Sequence, residues 1–594
     1  MNLADGTIGN FTITQGATFA TAGAAFQGGA LNFDIGGITT AADRIIVSGN
    51  TAGIGATSSG VNTINIFPTA GTTSLTPGSY TLIQATGSAS TLSNTNFVLG
   101  TSNLVVNGTL YNLSLSGTIG TEVLTIATGG AAASPGLAFW TGNLNSSWKT
   151  QNASPGLETN FAAAATAGAP NTFALPDLNT NVYFTNATAT NLNTTLDQNF
   201  TINSLNFTGS GSANSAGGTI DSGTGTNSLT INAAALNGNT AGSGLTVAAG
   251  AGINTIGANV VLGANQTWTS NSTNLTILGG TIGQSAAGTT LTKAGTGTIA
   301  IAGAAGYTGA TTISAGTLQL GAGGTTGTLS TSSAIVNNAT LAFNRSNTVT
   351  QGTDFNSTIG GTGIVLQNGP GTLILGGANT YTGNTVVAGG TLAIPTGGSL
   401  TGNGTTTAGS TLIVGNTAGQ NAVFNLNGGS VNSYYTFLLG TNATAAGVLN
   451  MTGGTFTNTT TATGNTVNFV GQTGYGMLNI TGGTFTAKGR FAPSNGVGTT
   501  GVVYVGGTGI LDTSAGEWFL MAYSASGNAG LSQVTVGPGG QLLHAGATAK
   551  FGLNMDRSNG YAVLNVAGGT VTTSTQNITF GNGTAQTSPT PMVC

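Results

Sequence analysis

The phrase GVLNMTGGTFT at 447 to 457 returns 29 residues later as GMLNITGGTFT at 476 to 486. It holds no acid, base or charge, so catalysis gives no reason to repeat it; stacking does. Aligned on a central apolar residue, the phrase runs through VFNLNGGSV at 423, VLNMTGGTF at 448, MLNITGGTF at 477, VYVGGTGIL at 503, VTVGPGGQL at 534 and VLNVAGGTV at 563. The central residues are Leu426, Met451, Ile480, Val505, Val536 and Val566, spaced 25, 29, 25, 31 and 30 apart. A second element, an aromatic followed by small residues and Gly, precedes most copies: FLLG at 437, FVGQTG at 469, FAPSNG at 491 and FGLNMDRSNG at 551.

A unit of 20 to 50 residues that recurs in this way signals a solenoid. Within each copy apolar residues alternate with Asn, Thr or Gly, which is strand periodicity. A unit of this length accommodates about three short strands, so the expected fold is all-β: a right-handed parallel β-helix with coils of about 25–31 residues. Inside GVLNMTGGTFT, Leu449 and Met451 are expected to face inward, Gly453 and Gly454 to turn a corner, and Asn450 and Thr455 to stack on their copies.

Composition follows from that expectation. Charged residues are 3% of the chain, against about 25% in ordinary domains. In a parallel stack a charge at a repeated position faces its own copy about 4.8 Å away, at a cost of roughly 3 kcal/mol at an effective dielectric near 20. Asn, Thr and Ser instead hydrogen-bond along the ladder, and Gly supplies corners with positive φ. One charged row is expected nevertheless: Arg490, Glu517 and Lys550, alternating in sign on neighbouring coils.

The same numbers bound function. Eight Lys and Arg and a net charge of −4 make nucleic acid or anionic lipid an improbable main partner. Cys594 is the single cysteine, which removes disulfide frameworks and Cys-based metal clusters. No apolar run is long enough to span a bilayer as a helix, and no targeting segment follows Met1. Both ends read as cuts through a longer protein.

The repeat changes upstream. LTKAGTGTIAIAGAAGYTGATTISAGTLQL at 291 to 320 aligns without gaps to VLQNGPGTLILGGANTYTGNTVVAGGTLAI at 365 to 394. Matched positions include Gly295/Gly369, Gly297/Gly371, Tyr307/Tyr381, Gly309/Gly383, Gly316/Gly390 and Leu318/Leu392. The pair resembles the autotransporter-associated β-strand repeat, with its G-x-G-T-L, Y-T-G and A-G-T-L elements. FWTGNLNSSW at 139 to 148 resembles a module that often precedes that repeat. The resemblance implies an exported passenger stalk, extracellular or at the bacterial cell surface, with glycans or cell surfaces as partners. It also implies a membrane β-barrel or another anchor elsewhere in the parent protein.

The expected organisation is an irregular β region at 1–130 that closes a repeat block, and a β module at 131–262 with a projecting loop at 161–176. Autotransporter-type strand repeats follow at 263–400, then a β-helix of GxLNxTGGTF-type coils at 401–594.

Catalysis on a β-helix uses clustered carboxylates, usually with a cation nearby. Here the acids are scattered: Asp34, Asp43, Glu122, Glu158, Asp177, Asp197, Asp221, Asp354, Asp512, Glu517 and Asp556. Asp512 with Glu517 and Asp556 beside Arg557 are the nearest approaches to a pair. His544, the only histidine, is expected at a turn or the surface, which leaves no His-based metal site or Ser-His-Asp triad. Tyr307 and Tyr381 are expected to pack against neighbouring coils rather than bind a ligand. Glycine strings such as GGTGIV lack the helix and Lys of a phosphate loop. Many N-x-S/T sequons, such as those at Asn10, Asn199, Asn450 and Asn479, follow from composition. The sequence therefore points to a non-enzymatic stalk with no catalytic, metal or cofactor residue. A glycan- or cell-binding adhesin face, a polysaccharide lyase or hydrolase and an ice-binding Thr array are the alternatives.

Overall fold

A computed structural model describes all residues except 15–24, 37–40, 49–56, 70, 86–91, 93, 107–108, 132–133, 153–157, 167, 186–188, 209–216, 357, 404–408, 460–466, 517, 524–529, 547–549, 554–559, 574–577 and 581–594. The described residues contain no α-helix, and the strands number in the tens. The chain divides into two compact units, Met1–Asn203 and Ser204–Cys594.

The second unit is a parallel β-helix of three strands per coil. One coil runs Tyr475–Ile480, Thr484–Thr486 and Arg490–Ser494, and the next runs Thr500–Val505, Ile510–Asp512 and Trp518–Met521. Each strand pairs in parallel with its counterpart one coil on. The central apolar residues align in unbroken register: Leu426 with Met451, then Ile480, Val505, Val536 and Val566. The first five are buried, and Val566, in the last described coil, is half-exposed.

The repeated phrase behaves as a rung. Leu449 and Met451 are fully buried. Asn450 donates to Asn425 at 3.0 Å, and Asn479 donates to Asn450 at 3.3 Å, which makes an amide ladder on the outer side. Phe456 and Phe485 stack at 4.2 Å with their planes 2° apart. Gly454 takes the corner at φ +84, where a Cβ would meet the Gly429 carbonyl at 2.1 Å. Pairing continues across this corner, so Ala446–Asn458 is one bent strand.

The 25-to-31-residue spacing does not extend through the whole unit. Mid-chain coils are shorter: Leu278 lies opposite Ile301, Ile301 opposite Leu320 and Leu320 opposite Phe343.

The first unit begins as the same kind of stack and then changes. Asn10–Thr14, Arg44–Ser48 and Gly78–Ala85 pair in parallel, as do Gly29–Ile35, Asn62–Pro68 and Phe97–Leu99. Thr121–Ala131 then runs antiparallel on Gly78–Ala85, followed by Thr109–Thr118 and Asn103–Val106, also antiparallel. Reversing direction with a hairpin removes the open parallel edge on that side, a standard way to protect a sheet. FWTGNLNSSW supplies Trp140 and Trp148, which pack with Phe161 and Phe184 in a buried aromatic group. The stretch expected to project, 161–176, is tied down at its two ends. Phe161 is buried, Thr172 N–H donates to the Phe161 carbonyl, and Asn171 caps Thr159 and Phe173.

Candidate functional site

Several of the carboxylates considered for catalysis are held by their own turns or by a named partner. Asp177 accepts from Asn179 N–H and from the hydroxyls of Ser134 and Thr180. Asp197 accepts from the Thr195 hydroxyl at 2.7 Å, and Asp512 accepts from Ser514 N–H at 2.9 Å. Asp354 pairs with Arg345 at 3.1 Å and also accepts from Thr350 N–H; this is the one ion pair among the described residues. Asp34 and Asp43 meet in the first unit, where Asp34 N–H donates to Asp43 at 2.6 Å and Gly9 N–H donates to the other Asp43 oxygen. Desolvation by burial pushes the Asp43 carboxyl above its ordinary range. Glu517, Asp556 and Arg557 lie outside the described residues. Among the described residues no group of three or more His, Cys, Asp and Glu could hold a metal ion.

His544 is not at a turn or the surface. In Gln541–His544 alternate residues point inward, and His544 is 1% exposed. Its Nδ1 lies 2.9 Å from the Thr513 hydroxyl one coil earlier, and its ring meets Phe519 and Phe551 edge-on. It is a satisfied core residue. Tyr307 and Tyr381 are fully buried as well, each with its hydroxyl 2.6 Å from the Thr four residues on, Thr311 and Thr385. Burial raises both phenols above their ordinary range.

Of the expected charged row, Glu517 lies outside the described residues, and the register is given by its neighbours. Phe491, Phe519 and Phe551 share a register, so the position beside Arg490 belongs to Trp518, and Trp518 lies opposite Lys550. The Arg490 guanidinium sits 4.4 Å over the Trp518 ring, a cation–π contact, where an alternation of sign was expected.

Two buried ionisable groups were not singled out from sequence. Lys293 is 1% exposed and donates to the carbonyls of Ala294, Gly295 and Ala315 at 2.7 to 3.1 Å. Burial pushes its ammonium down to about 8. The gapless alignment held the signal, because its counterpart Gln367 donates to Gly369 and Gly371 at 2.9 Å. Both side chains do one job, capping corner carbonyls from inside. Lys293→Gln is accordingly expected to stabilise the protein at pH 7 by on the order of 2 kcal/mol, since the amide caps without a buried charge. In the wild type the unfolded state holds this proton more tightly between pH 8 and 10.5, so stability rises with pH across that interval. Above pH 10 the buried tyrosines, with raised pKa, act in the opposite direction. The gap between variant and wild type should close over the same window in urea unfolding. The second group, Glu122, is fully buried with neither carboxylate oxygen partnered.

The outward side of one sheet is the remaining surface of note. Leu366, Val386, Ile413, Leu438, Phe469 and Ala492 follow one another in register, each pointing away from the coil interior. At its C-terminal end Val467, Phe469, Ala492 and Leu520 are buried together in a cluster, with the partly buried Trp518 and Tyr523 packed against it.

The fold is a repetitive parallel β-helix in which many of the described polar side chains cap its own corners. The particular repeat is the passenger-associated-transport-repeat of autotransporter passengers, whose family model matches residues 291–320 and 365–394. No curated protein and no solved structure matches the chain. No helix among the described residues is long and apolar enough to cross a membrane.

Proposed function

We propose that this chain is the surface-displayed stalk of an autotransporter-type protein, non-enzymatic and mechanical in its work. The observation that carries this reading is the fate of its reactive groups. Asp177, Asp197, Asp354 and Asp512 serve as turn caps or ion-pair partners, and the sole histidine is core packing. A stacked array of this kind holds distance and presents side chains on its outer faces. Incubation with pectin and alginate, with and without Ca²⁺, is expected to yield no product. Turnover that depends on any of these carboxylates would sink the stalk reading.

Adhesion is a second reading, favoured by Trp518 and Tyr523 on the outer cluster beside Arg490. Aromatic rings on an outer face stack against the apolar faces of sugars, and an Arg beside them suits an acidic glycan. Trp518→Phe, which keeps the packing but loses the indole, is expected to weaken glycan binding severalfold in an array or surface-binding assay, with the unfolding transition little changed. A wild-type chain that binds no glycan, or a variant that binds equally well, removes this reading and leaves the stalk. The Thr row Thr267, Thr292 and Thr312 ends at Val336 and Gly360, so no extended Thr lattice supports ice binding.

A further inference from the structure

The two matched segments share one arrangement: each stacks on itself, with the tightest closures of the described strand pairs in the second unit. In the first, Leu291 lies opposite Thr311 and Thr298 opposite Thr317. In the second, Val365 lies opposite Thr385 and Thr372 opposite Thr391. Both strand pairs of each segment are thus made wholly within its own thirty residues. The chain closes these rungs over 20 and 19 residues. Among the other described strand pairs of this unit the shortest closure is 21, from Ala378 to Ser399, and most are longer.

The bonds that hold the double rung are also internal. Tyr307 and Tyr381 reach Thr311 and Thr385 within their own segments. Lys293 and Gln367 cap the carbonyls of Gly295 and Gly369. Gly316 and Gly390, at φ +64 and +59, lie where a Cβ would meet those same two carbonyls at 2.3 and 2.4 Å. The glycines of G-x-G-T-L and A-G-T-L are therefore stacked partners, which explains why the repeat needs both.

The two copies do not occupy the same faces. Leu291–Ala294 and Thr311–Ile313 belong to the sheet that holds Gln266–Ser270 and Ile335–Asn337. Their counterparts Ile364–Gln367 and Thr385–Val387 belong to the sheet that holds Thr298–Ile301 and Thr317–Leu320. One phrase therefore builds the same double rung from either starting face, and its fold is set by its own sequence more than by its surroundings.

We propose that each matched segment is a self-registering seed: it closes two stacked layers unaided and sets the register of the coils that add to it. Loop closure precedes the contacts that reward it, so rungs whose closure, corner caps and tyrosine clamp are all local form before rungs that need a distant partner. The Tyr381–Thr385 pair then extends outward, because Thr385 also bonds the Tyr434 hydroxyl two coils further on.

Pulse-labelling hydrogen exchange during refolding of the full chain tests this. Amides of 298–301, 317–320, 372–374 and 390–394 are expected to gain protection at least tenfold earlier than those of Asn421–Tyr434 and Ala446–Asn458. Protection that arises simultaneously, or first in the latter strands, overturns the proposal. A chimera that carries the sequence of 291–320 in place of 365–394 gives a second measurement. It is expected to fold with the neighbouring register and early protection intact, whereas a scrambled segment of the same composition is not. Failure of the chimera together with success of the scramble also overturns it. Neither outcome bears on whether the chain is a stalk or an adhesin.

Discussion

Glu122→Gln is expected to raise the stability of the first unit at pH 8 by roughly 3 kcal/mol and to leave it almost unchanged at pH 4. Glu122 belongs to Thr121–Ala131 and alternates with Leu124 and Ile126, so the strand carries its carboxyl into the core. It lies opposite Gly117 on one side and Ile83 on the other, and neither supplies a hydrogen bond. Burial alone pushes its pKa from an ordinary 4.5 up to about 7. The sign follows directly: the folded state holds the proton more tightly, so the wild type keeps full stability below pH 4.5 and loses it as pH rises through 7. Glutamine cannot ionise and escapes that loss. For a unit of this size the difference corresponds to a rise in Tm of roughly 6 to 12 °C at pH 8. Melting should be followed by exchange in Gly78–Ala85 and Thr109–Thr118. A variant no more stable than wild type at pH 8 would mean that the carboxylate is solvated or paired.

Gly454→Val is expected to be the most damaging single change in the second unit. Gly454 has φ +84, a region that costs an L-residue about 1–2 kcal/mol and a β-branched one more. The added Cβ would also meet the Gly429 carbonyl at 2.1 Å, a backbone atom of the preceding coil. Gly483 repeats the geometry on the next coil, with the Gly454 carbonyl 2.4 Å from its own Cβ position. Relieving the clash forces neighbouring coils apart, so the total loss should reach roughly 3 to 5 kcal/mol. Exchange should accelerate in Asn421–Tyr434, Ala446–Asn458 and Tyr475–Ile480 together. Confinement of the effect to Gly454 and its chain neighbours would show that the coils do not share this corner.

What was legible in the sequence was whatever repeated. The alignment on Leu426, Met451, Ile480, Val505, Val536 and Val566 reproduces the register of the ladder residue for residue. A period-two pattern anchored on the same phrase in each coil leaves only one way to superpose the coils without burying Asn450 or exposing Leu449. The passenger repeat was legible for the same reason. What failed was whatever occurred once. His544 has no counterpart to reveal its inward phase, since its ladder partner is Thr573. Glu122 sits in an antiparallel strand with no repeat, next to a register shift between Glu122 and Val123. Lys293 was readable through Gln367, but only by treating the two as equivalent inward donors.

The central claim is that neighbouring coils stack in parallel in the register of the repeated phrase, and disulfide trapping tests it most directly. Val448 and Met477 are partners in adjacent coils and both point outward. Parallel partners about 4.8 Å apart fall within the Cα separation that a disulfide needs. In a Cys594→Ser background, Val448→Cys combined with Met477→Cys is expected to oxidise nearly completely in the folded chain and not in urea. The control that pairs Val448→Cys with Leu478→Cys, one residue out of step and facing inward, is expected to remain reduced. Oxidation of the control in preference to the matched pair would contradict the register, and with it the account of how this sequence builds its coils.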